Sequence, residues 1–158
     1  MKVFFINQST VGVIRNDGSQ FNILLNSDSG KIFYRYKINS ISKIKHPGVY
    51  LGTDISGKHY FIHNHYDVGF ATIVSLTEFS KSRKLHLDER PCKNSQIEVI
   101  EVAIRYVNDR RRYSLLNDNC QTLTNDSCNN RKESESVNKL VDRLALVVLF
   151  ALFVKAAS

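Results

Sequence analysis

The hydrophobic period of the chain changes once, and that change limits the folds open to it. Up to about residue 76 apolar side chains recur at every second position, whereas after Ser95 they recur at helical spacing. The run Lys31-Ile-Phe-Tyr-Arg-Tyr-Lys-Ile38 alternates apolar or aromatic with polar residues, as a half-buried strand does. VFFIN and VGVIR are earlier β-type runs, and FNILL follows the hairpin-turn residues Asn16-Asp17-Gly18. His46 to Gly52 and Lys58 to His65 flank a turn at Thr53 to Gly57, which predicts an antiparallel hairpin; Ala71 to Leu76 is a further strand. Ser95-Gln-Ile-Glu98 is a capping box, after which Ile97, Ile100, Ile104 and Val107 share a helical face. A shorter helix is predicted to start at Asn119 or Cys120. A third runs from about Val137 into the tail, across residues 137–155. Strands first and helices after predict an α+β fold, an antiparallel sheet packed against helices, in a single domain over 1–158.

Apolar content of 42% and charged content of 23% exclude a disordered chain. The net charge of +7 gathers at Lys81, Arg83 and Lys84 and at Arg110, Arg111 and Arg112. Such clusters meet phosphates or simply form a solvated face. With no Trp, no zinc-finger spacing and no aromatic RNA-binding motif, a nucleic-acid partner rests on charge alone and is not expected. Three cysteines, Cys92, Cys120 and Cys128, are an odd number, which favours a reducing, cytoplasmic setting and a working thiol. The first ten residues carry too short an apolar core, Val3 to Ile6, for a signal peptide. Leu144 to Val154 is uninterrupted hydrocarbon. As a helix it spans roughly 17 Å, short of the ~30 Å of a bilayer core. It is expected to pack on the domain or to lie in a membrane interface, where the basic clusters would meet anionic lipid.

Residues two apart on a strand share a face, so His59, Phe61, His63 and His65 line one side of their strand, and His46, Gly48 and Tyr50 one side of its neighbour. A hairpin turn near Ile55 and Ser56 places His46 opposite His65 and diagonal to His63. The His63-x-His65 spacing suits zinc, but no third ligand accompanies it; neither a metal nor another cofactor is expected. Buried structural histidines are one reading of the pair, and a base with its orienting partner is another. The second needs a nucleophile. Asn119 or Asp118 is a good N-cap, which puts Cys120 in the first turn of its helix. There the helix dipole and the unpaired backbone N–H groups favour a thiolate and can hold an oxyanion. Cys92 and Cys128 have no such setting.

His46-Pro-Gly-Val-Tyr50-Leu-Gly52, Phe61-Ile-His63 and Leu115-Leu-Asn-Asp-Asn119-Cys120, in that order, resemble the H-NC signature of the lecithin–retinol acyltransferase-like proteins. These are relatives of the circularly permuted, NlpC-type papain-like cysteine enzymes. The resemblance covers roughly residues 44–128. It implies Cys120 as nucleophile, His46 as general base and His63 as the orienting residue, with His65 as its alternative. Tyr50 and Asn119 would support the oxyanion. It further implies a permuted papain-like fold and acyl transfer through a thioester on an ester- or amide-bearing substrate. Lipid esters are favoured, a peptidase or amidase is the alternative, and a silent binding module of the same fold is a third reading. Many relatives read Asn-Cys-Glu-His-Phe where this chain reads Asn119-Cys-Gln-Thr-Leu123. Residues 1–40 lie outside the motif and are expected to add strands or form a lid.

Overall fold

A computed structural model describes residues 1–38, 43–110, 112–114, 119–132, 134, 137–139, 141–142 and 144–148. Among these, the strands are β1 (Lys2–Asn7), β2 (Thr10–Ile14), β3 (Gln20–Leu24), β4 (Ile32–Ile38), β5 (Lys43–Thr53), β6 (His59–His65), β7 (Phe70–Ser75) and β8 (His86–Leu87). The helices with continuous bounds are α1 (Leu76–Ser80), α2 (Gln96–Asn108) and α3 (Cys120–Asn129). The fold is α+β, and every strand pairing in its eight-stranded open sheet is antiparallel.

The long strand β5 organises the sheet. Val49 pairs with both Ile32 and Ile62, so β4 and β6 lie on opposite edges of β5. Thr53 pairs with both Leu24 and His59, so β3 joins the β4 edge further along. Gly52 makes this junction possible. Its φ is +144°, and a Cβ there would lie 2.1 Å from the Leu24 carbonyl oxygen. The N-terminal residues therefore supply sheet: β1, β2 and β3 form a meander continuous with β5.

Alternation along the strands builds two clusters. Val11, Val13, Ile23, Val49, Leu51 and Ile62 meet Val99, Ile100, Ala103 and Val107 of α2 and Leu123 of α3. The stripe on α2 is displaced from the predicted one: Ile97 is exposed, because the helix presents Val99 and Ala103 inward instead. The Asn108 side chain locks the end of α2 to β1, accepting from the Val3 N–H at 2.9 Å and donating to the Val3 carbonyl at 2.7 Å. The second cluster is Tyr50, Phe61 and Phe79.

Candidate active site

His46 and His63 meet as the hairpin register requires. The Nε2 of His46 lies 2.9 Å from the Nδ1 of His63, and the rings cross at 85°. Both are buried, at 3% and 2% exposure. Phe79 forms one wall, its ring centroid 6.0 Å from that of His46 and 5.5 Å from that of His63. Behind it Phe61 stacks on Phe79 at 4.5 Å. Helix α1 delivers Phe79. The helix begins at a capping box in which Glu78 accepts from the backbone N–H of Ser75 at 2.8 Å and from its hydroxyl at 2.7 Å. The period-2 reading carried the strand through Leu76 and passed over this helix, although Ser75-x-x-Glu78 is the same signal that marks α2 at Ser95 and Glu98.

Cys120 is the first residue of α3, is buried, and takes no part in a disulfide. Helix α3 packs against β5 and β6, and the structure contains a histidine–cysteine contact. Asn119 is the N-cap: its side-chain oxygen accepts from the N–H groups of Gln121 at 2.9 Å and Thr122 at 3.0 Å. This corrects the expectation that the whole first turn could serve an oxyanion. The cap uses those two donors, and Leu123 N–H bonds the Asn119 carbonyl.

The structure sends the Tyr50 hydroxyl elsewhere than the histidine pair, to His59 Nδ1 at 2.8 Å and to the side-chain amide of Asn26 at 3.2 Å. His65 pairs with Phe70 through its backbone, and its side chain is outside the described ones. The Leu115–Asp118 part of the motif, Arg111, and the tail beyond Val148 are also outside the described residues. Cys92 and Cys128 form a disulfide, with Cα atoms 4.8 Å apart. A disulfide stands against the reducing setting that the odd cysteine number favoured, and it leaves Cys120 outside the link. The link ties the loop before α2 to the far end of α3, beside Lys93 and Asn94 N–H bonds to the Cys128 carbonyl.

Arg35 escaped the sequence reading. Alternation counted it on the solvent side of its strand, yet it is 2% exposed, and its Nε donates to the Phe79 carbonyl. Burial pushes its pKa down, as does the neighbouring Arg83, while the charge of Cys120 supports the cationic form. Tyr113 is also near Cys120: burial chiefly, then the charge of Cys120, raise its pKa.

Two cavities run along α3. A small one of about 20 Å³ touches Pro47 and Gln121, the neighbours in sequence of His46 and Cys120. It shares Asp88, Arg90 and Asn125 with a larger one of about 280 Å³, bounded by Ile32, Thr124 and the disulfide. Among the described residues no group of His, Cys, Asp and Glu side chains has the arrangement of a metal site. Compared with family models, curated proteins and solved structures, the chain matches none.

Proposed function

We propose that this chain is a cysteine acyl hydrolase or acyltransferase of the circularly permuted papain-like, NlpC-type architecture. The observation that carries the reading is the buried His46–His63 hydrogen bond in a domain that starts a helix on Cys120. Their mutual hydrogen bond offsets the cost of burying two imidazoles and fixes the orientation of both rings. With the His46 Nε2–H donating to His63 Nδ1, the His46 Nδ1 keeps its lone pair and is the base. It takes the Cys120 proton, and the thiolate sulfur attacks a substrate carbonyl carbon. The imidazolium returns the proton to the leaving oxygen or nitrogen, giving a thioester. Water or another acceptor, deprotonated by His46, then releases the acyl group and restores the thiol.

With a p-nitrophenyl ester of a fatty acid, this mechanism produces a burst of about one nitrophenolate per chain. Cys120→Ser abolishes the burst, and His46→Ala slows it about 10²–10⁴-fold; His63→Ala gives a smaller loss. A folded His46→Ala with wild-type acylation contradicts the mechanism and leaves the silent-module reading.

Lipid esters are the favoured substrates because of the tail. Val141, Leu144, Leu146, Val147 and Val148 are 53–66% exposed, and they point around the helix rather than along one stripe. A hydrocarbon surface open on all sides suits a lipid phase better than a one-sided protein groove. The segment leading to it is anchored beside the nucleophile, where the Ser134 hydroxyl donates to the Gln121 side-chain oxygen at 2.9 Å. The net charge of +7 supports an anionic lipid surface. No helix among the described residues is long and apolar enough to cross a membrane. Deleting residues 140–158 should therefore abolish co-sedimentation with anionic vesicles while leaving the domain folded; retained binding rules the tail out as the contact. The amide alternative uses the same residues on a soluble substrate. As to compartment, the odd cysteine number pointed to the cytoplasm, but the Cys92–Cys128 disulfide favours oxidising surroundings.

A further inference from the structure

The larger cavity along α3 has no part in the catalytic steps. One face of α3, the start of β4 and the chain from Leu87 to Cys92 bound it, with Val99 of α2. On α3, Gln121, Asn125 and Asn129 stand four residues apart and share a face, with Thr124 and Cys128 in the next row. That face begins one residue after Cys120 and ends at the disulfide. On the sheet side, Ile32 borders the large cavity, while Tyr34 and its partner Pro47 border the small one. The chain from Leu87 to Cys92 is fastened at both ends. The Asp88 N–H bonds the Ile32 carbonyl at 2.8 Å, and Cys92 is linked to Cys128. Backbone and covalent bonds thus hold these walls apart, around a space of about 280 Å³.

The lining is polar by residue type, yet its polar groups are largely taken. The Asn94 side-chain amide donates to the Ser127 carbonyl at 2.8 Å and to Asn130 at 3.1 Å, and that of Gln96 donates to the Ser27 carbonyl at 3.0 Å. The Thr124 hydroxyl bonds the Cys120 carbonyl, Lys31 pairs with Asp28, and Arg90 pairs with Asp88. Hydrocarbon and sulfur from Ile32, Leu87, Pro91, Val99 and the disulfide remain to meet an occupant. Such a lining favours an alkyl chain over a charged or hydrogen-bonding group. The wall shared with the small cavity includes the Arg90 side chain, which is 49% exposed and so can swing aside.

We propose that this cavity is the acyl-chain subsite of the enzyme, entered from Cys120 along α3, and that it selects acyl groups of roughly ten carbons. This rests on the reading of Cys120 as nucleophile and deepens it by naming the acyl group. Two measures of the cavity agree on the length. Cys128 lies eight residues beyond Cys120, roughly 12 Å along the helix. With C–C bonds of ~1.5 Å at ~111°, an extended chain covers that distance in roughly ten carbons. By volume, a cavity of ~150 Å³ holds a benzene ring, so a space nearly twice that size takes about ten carbons as well. Longer chains must leave their ends outside, past Leu87, which is 44% exposed at the rim.

The test separates binding from turnover. Straight-chain 1-alkanols of increasing length are titrated into the oxidised full-length chain by calorimetry. Affinity should rise about fourfold per methylene and level off at roughly ten carbons. Thr124→Phe puts a ring into the cavity and should move that break to shorter chains, with decanol bound about tenfold more weakly. Should Thr124→Phe fail to fold, Leu87→Trp at the exposed rim replaces it, with the same shift expected. The p-nitrophenyl esters of the matching acids are then compared by kcat/KM, where the loss in either variant should grow with chain length. Absent alkanol binding, or binding with no break and no response to either folded variant, overturns the proposal. Turnover of esters with a flat chain-length profile also overturns it and leaves acyl transfer standing. A break that both binds alkanols and shifts in the variants, with no ester turned over, overturns acyl transfer and leaves a hydrocarbon site.

Discussion

Gly48 shows how closely single residues constrain this site. It lies one step beyond the Val49–Ile62 pair, across from His63 on the face that His46 shares. A Cβ at this position would sit 2.7 Å from Cε2 and 2.9 Å from Cζ of Phe79, and 3.1 Å from the Ile62 carbonyl oxygen. Phe79 is fully buried with Phe61 stacked behind it, so its ring has nowhere to retreat. Gly48→Ala should therefore cost about 1–3 kcal/mol in urea denaturation, as overpacking does. It should also slow acylation by displacing the wall against which both imidazoles rest. An alanine variant with wild-type stability and rate would show that Phe79 does not position them. Glycine at this place reads in the sequence as a turn or a weak point in a strand, and only the packing of a side chain 31 positions away shows its use.

Among the elements, five-residue α1 has the largest consequence for its size. Its capping box closes the end of β7, brings Phe79 onto the histidines, and offers its carbonyl to Arg35. Removing the cap with Ser75→Ala should cost about 1 kcal/mol. The Ser75 backbone N–H first, and its hydroxyl second, hold the Glu78 carboxyl below its ordinary 4.5. The resulting stabilisation is present above that ordinary value and is lost as pH falls through the lowered one. Acid denaturation curves of Glu78→Gln should lack this loss; curves parallel to wild type over that range would place the cap's contribution elsewhere. Helix α3 was legible as far as its start, because Asn119 is a strong cap signal and Cys120 follows it. The sequence could not show that the same cap takes the N–H groups of Gln121 and Thr122, since that depends on which way a side chain turns. Arg35 was hidden for a related reason: a charged residue in an alternating strand is assigned to solvent, and here a helix covers it. The disulfide was hidden because Cys92 and Cys128 lie 36 residues apart, joined only when a loop folds onto the end of α3.

At the scale of the whole molecule, the change of hydrophobic period foretold the α+β class and most strand positions, since alternation and turn residues are local signals. The placement of three strands around β5 was not local. It depends on Gly52 letting β3 close on β5 beside the end of β4. The fold holds two imidazoles in hydrogen-bond contact beside a buried guanidinium, packs the capped helix α3 against the same strands, and leaves cavities along α3. In the proposed reaction the Cys120 sulfur becomes acylated. Its most direct test is intact-mass measurement after brief exposure to phospholipid vesicles and, in parallel, to peptide substrates. The lipid should add one acyl group, mapped to Cys120, released by hydroxylamine and absent from Cys120→Ala. An adduct from peptides alone would move the substrate to the amide class. No adduct on the folded protein from either source, or one that survives Cys120→Ala, would contradict acylation of this sulfur.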